Sequence, residues 1–390
     1  LLRGAALCLG GTALPRCARA DAFSDFLQSL WPKAEAKGVR RASFEAAVAG
    51  LIFDPATPSD VSAQPEFDKP LHVYLTNTVT PQRIARGRQE ATRWKAQLTA
   101  IENRYGVPSE ILLAAWGVET DFGRDMGGKD IIRSLASLAY RRDDRSLFID
   151  EWIAALVIFD RGVPREKLKG SWAGAMGNPQ FLPSAYLKYA VSFSETGNPD
   201  IWTSVPDTLA SIAHFLRESG WGQDLPWGME VVLPADFDYI SLHMSFTHWA
   251  AANVRAADAR AFPSKGDATL FLPSGAGGPA FLLSENYWVL KAYNNSDSYA
   301  LSLALLADRI HGAGALHTAW PAQEKILSRA EKTEVQQLLT AGGYYRGVID
   351  GRLGPASRDA IHAFQRAVGL KPADGYGSDA VLQALRKSAH

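Results

Sequence analysis

The stretch "ILLAAWGV", Ile111 to Val118, has the length and composition of a helix with almost no polar face. A helix apolar all round must be buried, so the fold has to pack other elements on every side of it. Ser109, following Pro108, is the expected N-cap. Glu119 comes next, at the C-terminal end of the segment. Desolvation and the negative end of the helix dipole should both raise its pKa. A carboxylic acid that keeps its proton near neutrality is what a general acid needs. Gly117 and Gly123 would let a bulky substrate approach the backbone. A structural glutamate paired with Arg124 or another base satisfies the same residues.

The remaining pattern is mainly helical from Asp21 to about Arg309. Apolar positions recur at three and four in "FSDFLQSLWPKAEAKG", "RIARGRQEATRWKAQLTAIENRYG", "SLFIDEWIAALVIFDRG" and "SYALSLALLADRIHG". Between about Gly228 and Leu290 the texture changes. The short apolar runs "MEVVL", "ATLFL", "AFLLS" and "YWVLKAY" are broken by turn-rich segments, which predicts a few short strands. A helical domain with a small β-rich insertion follows. Beyond "HGAGALHTAWPAQ" a short pseudo-repeat appears. "IDGRLGPASRDAIHAF" and "ADGYGSDAVLQAL" each carry Asp-Gly, a second Gly, a Ser and an amphipathic helix. Ser357 and Ser378 are the expected N-caps, and the Asp-Gly pairs supply turns.

The first twenty residues contain Arg3, Arg16 and Arg19, no acid, and an apolar stretch from Ala5 to Leu14. They end in Ala18-Arg19-Ala20 and read as a signal peptide lacking its first residues. Cys8 and Cys17 are the two cysteines of the chain and both fall in this leader. The exported product would therefore hold no disulfide and no cysteine–metal site. Neither cysteine sits in a good lipidation context, and no stretch has the eighteen or so apolar residues of a membrane span. The formal net charge of zero gives no nucleic-acid footprint. Eleven Trp and twelve Tyr fit a groove that handles sugar rings, though most are expected to be core.

Three longer blocks carry more information. "GVETDFGRDMG", "SWAGAMGNPQFLPSAY" and "KAYNNSDSYALSLALLAD", in this order and spacing, resemble the signature blocks of the lytic murein transglycosylase B family. The resemblance runs from about Gln64 to Ile310. The C-terminal "VQQLLTAGGYYRGVIDGRLGPASRDAIHAFQRAVGL" is similar to the peptidoglycan-binding domain attached to many wall hydrolases. The resemblance implies a mainly α (α+β, lysozyme-like) catalytic domain over 21–322, after a leader over 1–20. A small three-helix peptidoglycan-binding module over 323–390 follows. It also implies cleavage of the β-1,4 bond between N-acetylmuramic acid and N-acetylglucosamine, with a 1,6-anhydro ring left on the muramic acid. A hydrolytic muramidase and a non-catalytic wall-binding protein are the alternatives.

Glu119 matches the single catalytic glutamate of that family. Ser171 and Gln180 match positions that contact the sugar near the cleavage point. Tyr293 and Asn294 match positions lining the same site, Arg145 one that reaches bound peptide or glycan, and Tyr74 an aromatic at the groove. Without the resemblance, Gln180 reads as a loop amide, Tyr293 as a core tyrosine and Asn294 as a helix cap, with Ser296 as the other candidate cap. Some family members carry a calcium loop where this chain has "SFSETGNPDIW". Its first, third and fifth positions would be Ser192, Ser194 and Thr196 rather than acids, so calcium is expected to be absent or held weakly through Glu195 and Asp200. His243 and His248 lack a third ligand for zinc. No cofactor is expected. The expected partner is a peptidoglycan glycan strand, and the expected product a soluble periplasmic monomer.

Overall fold

The computed structural model describes residues 16–57, 71–141, 145–321 and 325–388. The expected leader lies outside them except for backbone from Arg16, where a helix Arg16–Ser29 begins. The chain forms two compact units, Leu1–Val61 with Gly123–Thr208, and Ser62–Phe122 with Leu209–His390. Among the described residues no helix is long and apolar enough to cross a membrane.

In the first unit, helix Ile131–Arg141 packs along helix Arg145–Asp160. Ile132, Leu135, Trp152 and Leu156 are fully buried, and Phe44 meets Trp152 edge-on with ring centroids 6.0 Å apart. Strands β1 (Lys129–Asp130) and β2 (Lys169–Gly170) pair antiparallel, and Met176 bridges Gly170 to Phe181. The Gly170 backbone lies against the Ala175 carbonyl where a Cβ has no room. The segment expected as a degenerate calcium loop folds with its hydroxyls bonded to one another, Ser192 to Ser194 at 3.1 Å and Ser194 to Thr196 at 3.0 Å. Asp200 instead takes Lys167 Nζ at 2.8 Å and the amides of Trp202 and Thr203. Burial pushes the Asp200 carboxyl up, but these hydrogen bonds outweigh it and bring it to about 2.

The second unit is built on the apolar segment noted first. It forms helix Ser109–Thr120, the acid helix, with Ile111 through Gly117 all buried. Helix Asp297–His311, the tyrosine helix, packs along it, and helix Pro81–Arg93 packs on both. The long run before the acid helix breaks at Trp94 into Pro81–Arg93 and Lys95–Tyr105. Ser109 is not the N-cap. Pro108 holds that position, and Glu102 of the preceding helix accepts from Ser109 N at 3.2 Å and Oγ at 2.6 Å. A carboxylate outbids a hydroxyl for a helix N-terminus because it adds charge to the hydrogen bond.

The insertion is a five-stranded antiparallel sheet. Its strands are β3 (Gly228–Val232), β4 (His243–Ser245), β5 (Arg255–Ala256), β6 (Asp267–Phe271) and β7 (Ala280–Leu283), in the order β4-β6-β7-β3-β5. Three of the four expected strands are present. The fourth, "YWVLKAY", lies in helix Glu285–Tyr293. Ser284 Oγ accepts from Asn286 N at 3.2 Å and starts a helix whose inner face is Asn286, Tyr287, Val289 and Leu290. The three-four spacing outweighs the β-propensity of Tyr, Trp and Val.

The C-terminal module has helices Arg329–Ala341, Pro355–Val368 and Asp379–Ser388 around Val335, Leu339, Ile361, Phe364 and Leu382. Ser328 and Glu331 form a capping box at its start. The pseudo-repeat is a repeated turn clamp. Gln336 Oε1 accepts from the amides of Asp350 and Gly351 at 3.0 and 2.8 Å, and Gln365 Oε1 from that of Gly375 at 2.8 Å. Each glutamine donates back to its aspartate, Gln336 to Asp350 at 3.1 Å and Gln365 to Asp374 at 3.0 Å. Ser378 caps its helix, accepting from Val381 N at 3.3 Å. Ser357 does not. It lies inside the helix beginning at Pro355, fully buried, with Gly354 as N-cap.

Candidate active site

Glu119 occupies the penultimate position of the acid helix and is half-buried. The chain then turns sharply, with Asp121 and Phe122 both left-handed at φ 50° and 60°. Two consecutive non-glycine residues in this region carry strain, which folded proteins hold mostly at functional sites. The turn drives the Phe122 ring back onto the helix. A Cβ on Gly117 would sit 2.8 Å from Phe122 Cζ, and the ring lies edge-on to Trp116 at 5.3 Å. The space over Gly117 is thus filled by Phe122 and is not a place where substrate meets backbone. Asp121 turns away to a pair of guanidiniums, Arg86 Nη1 at 2.5 Å and Arg83 Nε at 3.6 Å.

Tyr299 reaches Glu119 from the third position of the tyrosine helix and donates to Oε1 at 2.5 Å. Ser296, the N-cap, accepts from the Tyr299 amide at 3.3 Å and sets the register of that first turn. The ring of Tyr293 stacks on that of Tyr299 at 6.2 Å and 18° and meets Phe215 edge-on at 4.9 Å. Burial, then the charge on Glu119, push both tyrosine hydroxyls well above their ordinary pKa, with Tyr74 adding to the effect at Tyr299. Neither ionises in any working range, so Tyr299 remains a donor.

Of the expected residues, the structure brings Glu119 and Tyr293 together around Tyr299, with Tyr74 in electrostatic reach. Asn294, next to Tyr293, is the C-cap of helix Glu285–Tyr293, and Ser296 rather than Asn294 caps the following helix. Ser171 and Gln180 belong to the first unit. Ser171 Oγ accepts from the amides of Ala173 and Ala175 at 3.2 and 3.1 Å, which folds the loop on itself. Gln180, left-handed at φ 50°, donates to the carbonyls of Met126 and Gly177 at 3.2 and 2.9 Å. Arg145 opens helix Arg145–Asp160, and its side chain lies outside the described residues. Among the described residues no group of three His, Cys, Asp or Glu could hold a metal.

Tyr299 was missed at the level of sequence. One signal was present, a phenol in an otherwise apolar helical run, because a buried tyrosine hydroxyl needs a partner.

The transglycosylase SLT domain family matches residues 22–308, and a peptidoglycan binding domain family matches 328–385. The membrane-bound lytic murein transglycosylase B of Escherichia coli (strain K12) is 30% identical over 244 residues, which is 61% of this chain and 66% of that protein. SltB3 from Pseudomonas aeruginosa, solved in complex with NAG-anhNAM-pentapeptide, shares 40% identity at a TM-score of 0.85, over 93% of this chain and 99% of that one. The Escherichia coli lytic transglycosylase Slt35, solved in complex with calcium, shares 26% identity at a TM-score of 0.62, over 76% and 94% of the two chains.

Proposed function

The chain belongs to the transglycosylase SLT domain family, and from that premise we propose that it is an exported lytic transglycosylase of peptidoglycan with Glu119 as its single acid and base. The bond cut is the β-1,4 link between N-acetylmuramic acid and N-acetylglucosamine. The observation that carries this reading is the Tyr299–Glu119 hydrogen bond at the end of a buried helix, beside a strained turn. A carboxyl held by a phenol that does not ionise is fixed in place for proton transfer in both directions.

In the first step Glu119 gives its proton to the glycosidic oxygen as the bond to C1 breaks. The leaving N-acetylglucosamine departs with a new hydroxyl, and the muramic acid carries oxocarbenium character at C1. Glu119, now a carboxylate, takes the proton of the muramic acid C6 hydroxyl as that oxygen bonds to C1. The 1,6-anhydro ring closes and Glu119 is protonated again, so no water is consumed. A second carboxylate, which most glycosidases use, is not required. Asp121 fits this scheme, since Arg86 and Arg83 already engage it. The anhydro sugar held by the SltB3 crystal structure supports the same outcome.

In this reading Tyr293, Asn294 and Tyr74 line the sugar near Glu119, Ser171 and Gln180 are further substrate contacts, and Arg145 reaches a peptide or glycan. Residues 21–322 form the catalytic domain and 323–390 a wall-binding module of a periplasmic monomer. Digestion of purified peptidoglycan followed by mass spectrometry tests the reaction. Anhydro-muropeptides are expected. Reducing muramic acid ends indicate a muramidase instead, and absence of any product indicates a binding protein. Glu119→Gln is expected to abolish release while the protein still pellets with sacculi.

A further inference from the structure

The tyrosine helix begins with two residues that face different ways. Tyr299 bonds Glu119, and Asp297, two residues earlier, bonds the C-terminal module. Asp297 Oδ2 accepts from Arg358 Nη1 at 2.9 Å, and Arg358 belongs to helix Pro355–Val368 of the module. The other oxygen, Oδ1, takes Lys291 Nζ at 2.9 Å and the Tyr287 hydroxyl at 3.1 Å. The Arg358 and Asp297 side chains are only 13% and 18% exposed, and the guanidinium also lies over the Phe271 ring at 4.6 Å. The pair lies in the wall of a cleft of about 520 Å³ that Ser296 and Ser298 also line.

From this placement we infer that Arg358 is a positioning residue for catalysis. It fixes Asp297, and through the first turn of the tyrosine helix it fixes the Tyr299 hydroxyl against Glu119. The inference rests on the function proposed above. An isolated buried carboxylate is costly, so Asp297 keeps its place only while its cations do. Ser296 and Asp297 determine where the first turn starts, and Tyr299 is a buried residue of that same turn. A shift of about 1 Å at a group that holds the reacting acid can cost on the order of a hundredfold in rate. The module therefore does more than hold the enzyme on the wall. It supplies one of the charges that set the catalytic acid.

Arg358 can be removed without releasing the module. His243 Nε2 meets Asp359 at 2.8 Å, His362 meets the Tyr239 carbonyl at 2.6 Å, and the Ala276 amide donates to Asp374 at 3.0 Å. These contacts join the module to the sheet region independently of Asp297.

The experiment compares full-length wild type, Arg358→Met, Arg358→Lys, Asp297→Asn, the Arg358→Met/Asp297→Asn double variant and Asp359→Asn. Turnover is read on short soluble glycan oligomers and separately on insoluble sacculi, with a melting curve for each protein. Arg358→Met is expected to lower kcat on soluble oligomers roughly tenfold to a hundredfold with KM little changed. Arg358→Lys restores most of it. Asp297→Asn reproduces the loss, and the double variant loses no more than either single one. Asp359→Asn, which weakens docking but leaves the pair, keeps soluble turnover. Unchanged kcat on oligomers with a higher KM on sacculi makes Arg358 a wall-binding residue and overturns the inference. So does additive loss in the double variant. Should Arg358→Met melt below the assay temperature, Arg358→Lys and Asp297→Asn carry the comparison. The wild-type products separate the two claims. Failure to release anhydro-muropeptides sinks the proposed function, whereas normal release with an unaffected Arg358→Met sinks only the coupling.

Discussion

Tyr299 and Glu119 share one hydrogen bond, and its donor cannot ionise away because burial and the neighbouring charge hold the phenol up. Hydrogen bonds to a charged group contribute about 1.5–3 kcal/mol. Tyr299→Phe keeps the ring and its stack on Tyr293, and is expected to lower kcat roughly tenfold to a hundredfold and to lower the melting temperature by no more than the loss of this one hydrogen bond accounts for. Steady-state kinetics with a thermal melt check both halves. The position of Glu119 at the end of a buried helix was legible in the sequence because the apolar run from Ile111 to Val118 singles out the charge that follows it. Its partner was not, because a tyrosine among "SYALSLALLAD" looks like any other core aromatic and nothing local points to Glu119. Ser171 and Gln180 show a second limit. Their hydrogen bonds to nearby backbone are a matter of loop geometry, which residue type alone does not reveal.

Among the elements, the turn after the acid helix depends on a missing side chain. A methyl on Gly117 would press into the Phe122 ring, which has Trp116 beside it. Overpacking of this kind costs about 1–3 kcal/mol. Gly117→Ala is expected to lose that much in denaturant titration and to lose activity with it, while a smaller ring-site residue in Gly117→Ala/Phe122→Leu recovers part of the stability. The turn clamps of the C-terminal module make a parallel case. Gln365→Leu leaves the Gly375 amide buried without its acceptor, a loss of roughly 1–3 kcal/mol, and amide exchange at Gly375 should accelerate accordingly. The Asp-Gly repeat was visible in the sequence, and so was Gln365 as a residue of the module's core or turn, but the clamp that both glutamines make was not. They sit 14 and 10 positions from the amides they clamp, on helices whose pattern announces only apolar packing. The run "YWVLKAY" suggests a strand because its residue types favour one, and only the cap at Ser284 with the inward spacing of the helix decides otherwise.

For the whole molecule, two half-buried aspartates give stability opposite dependences on pH. Burial raises the Asp297 carboxyl, but the charges of Arg358 and Lys291 outweigh it and hold it at about 2, below its unfolded value. Its contribution is present above pH ~4 and is lost as pH falls through about 2, a change of about 2 kcal/mol. Asp308 goes the other way, raised by burial to about 6 despite the Trp227 indole donating to it at 3.1 Å. Its contribution is complete below pH ~4 and is lost as pH rises through about 6, on the order of 3 kcal/mol. Denaturant titrations across pH should show Asp297→Asn flattening the acid side, and Asp308→Asn flattening the fall in stability as pH goes from 4 to 6. The bond between Glu119 and Tyr299 also spans 180 residues of sequence. At about 5–20 residues per second a ribosome needs roughly 10–40 s to make that length. For that interval a nascent chain carries Glu119 without the phenol that holds it, and the acid helix without the helix that covers it. A chain not yet extended to Tyr299 therefore lacks the bond that fixes Glu119, and the acid helix, buried from Ile111 to Gly117 in the finished fold, is a segment a chaperone has reason to shield in the meantime.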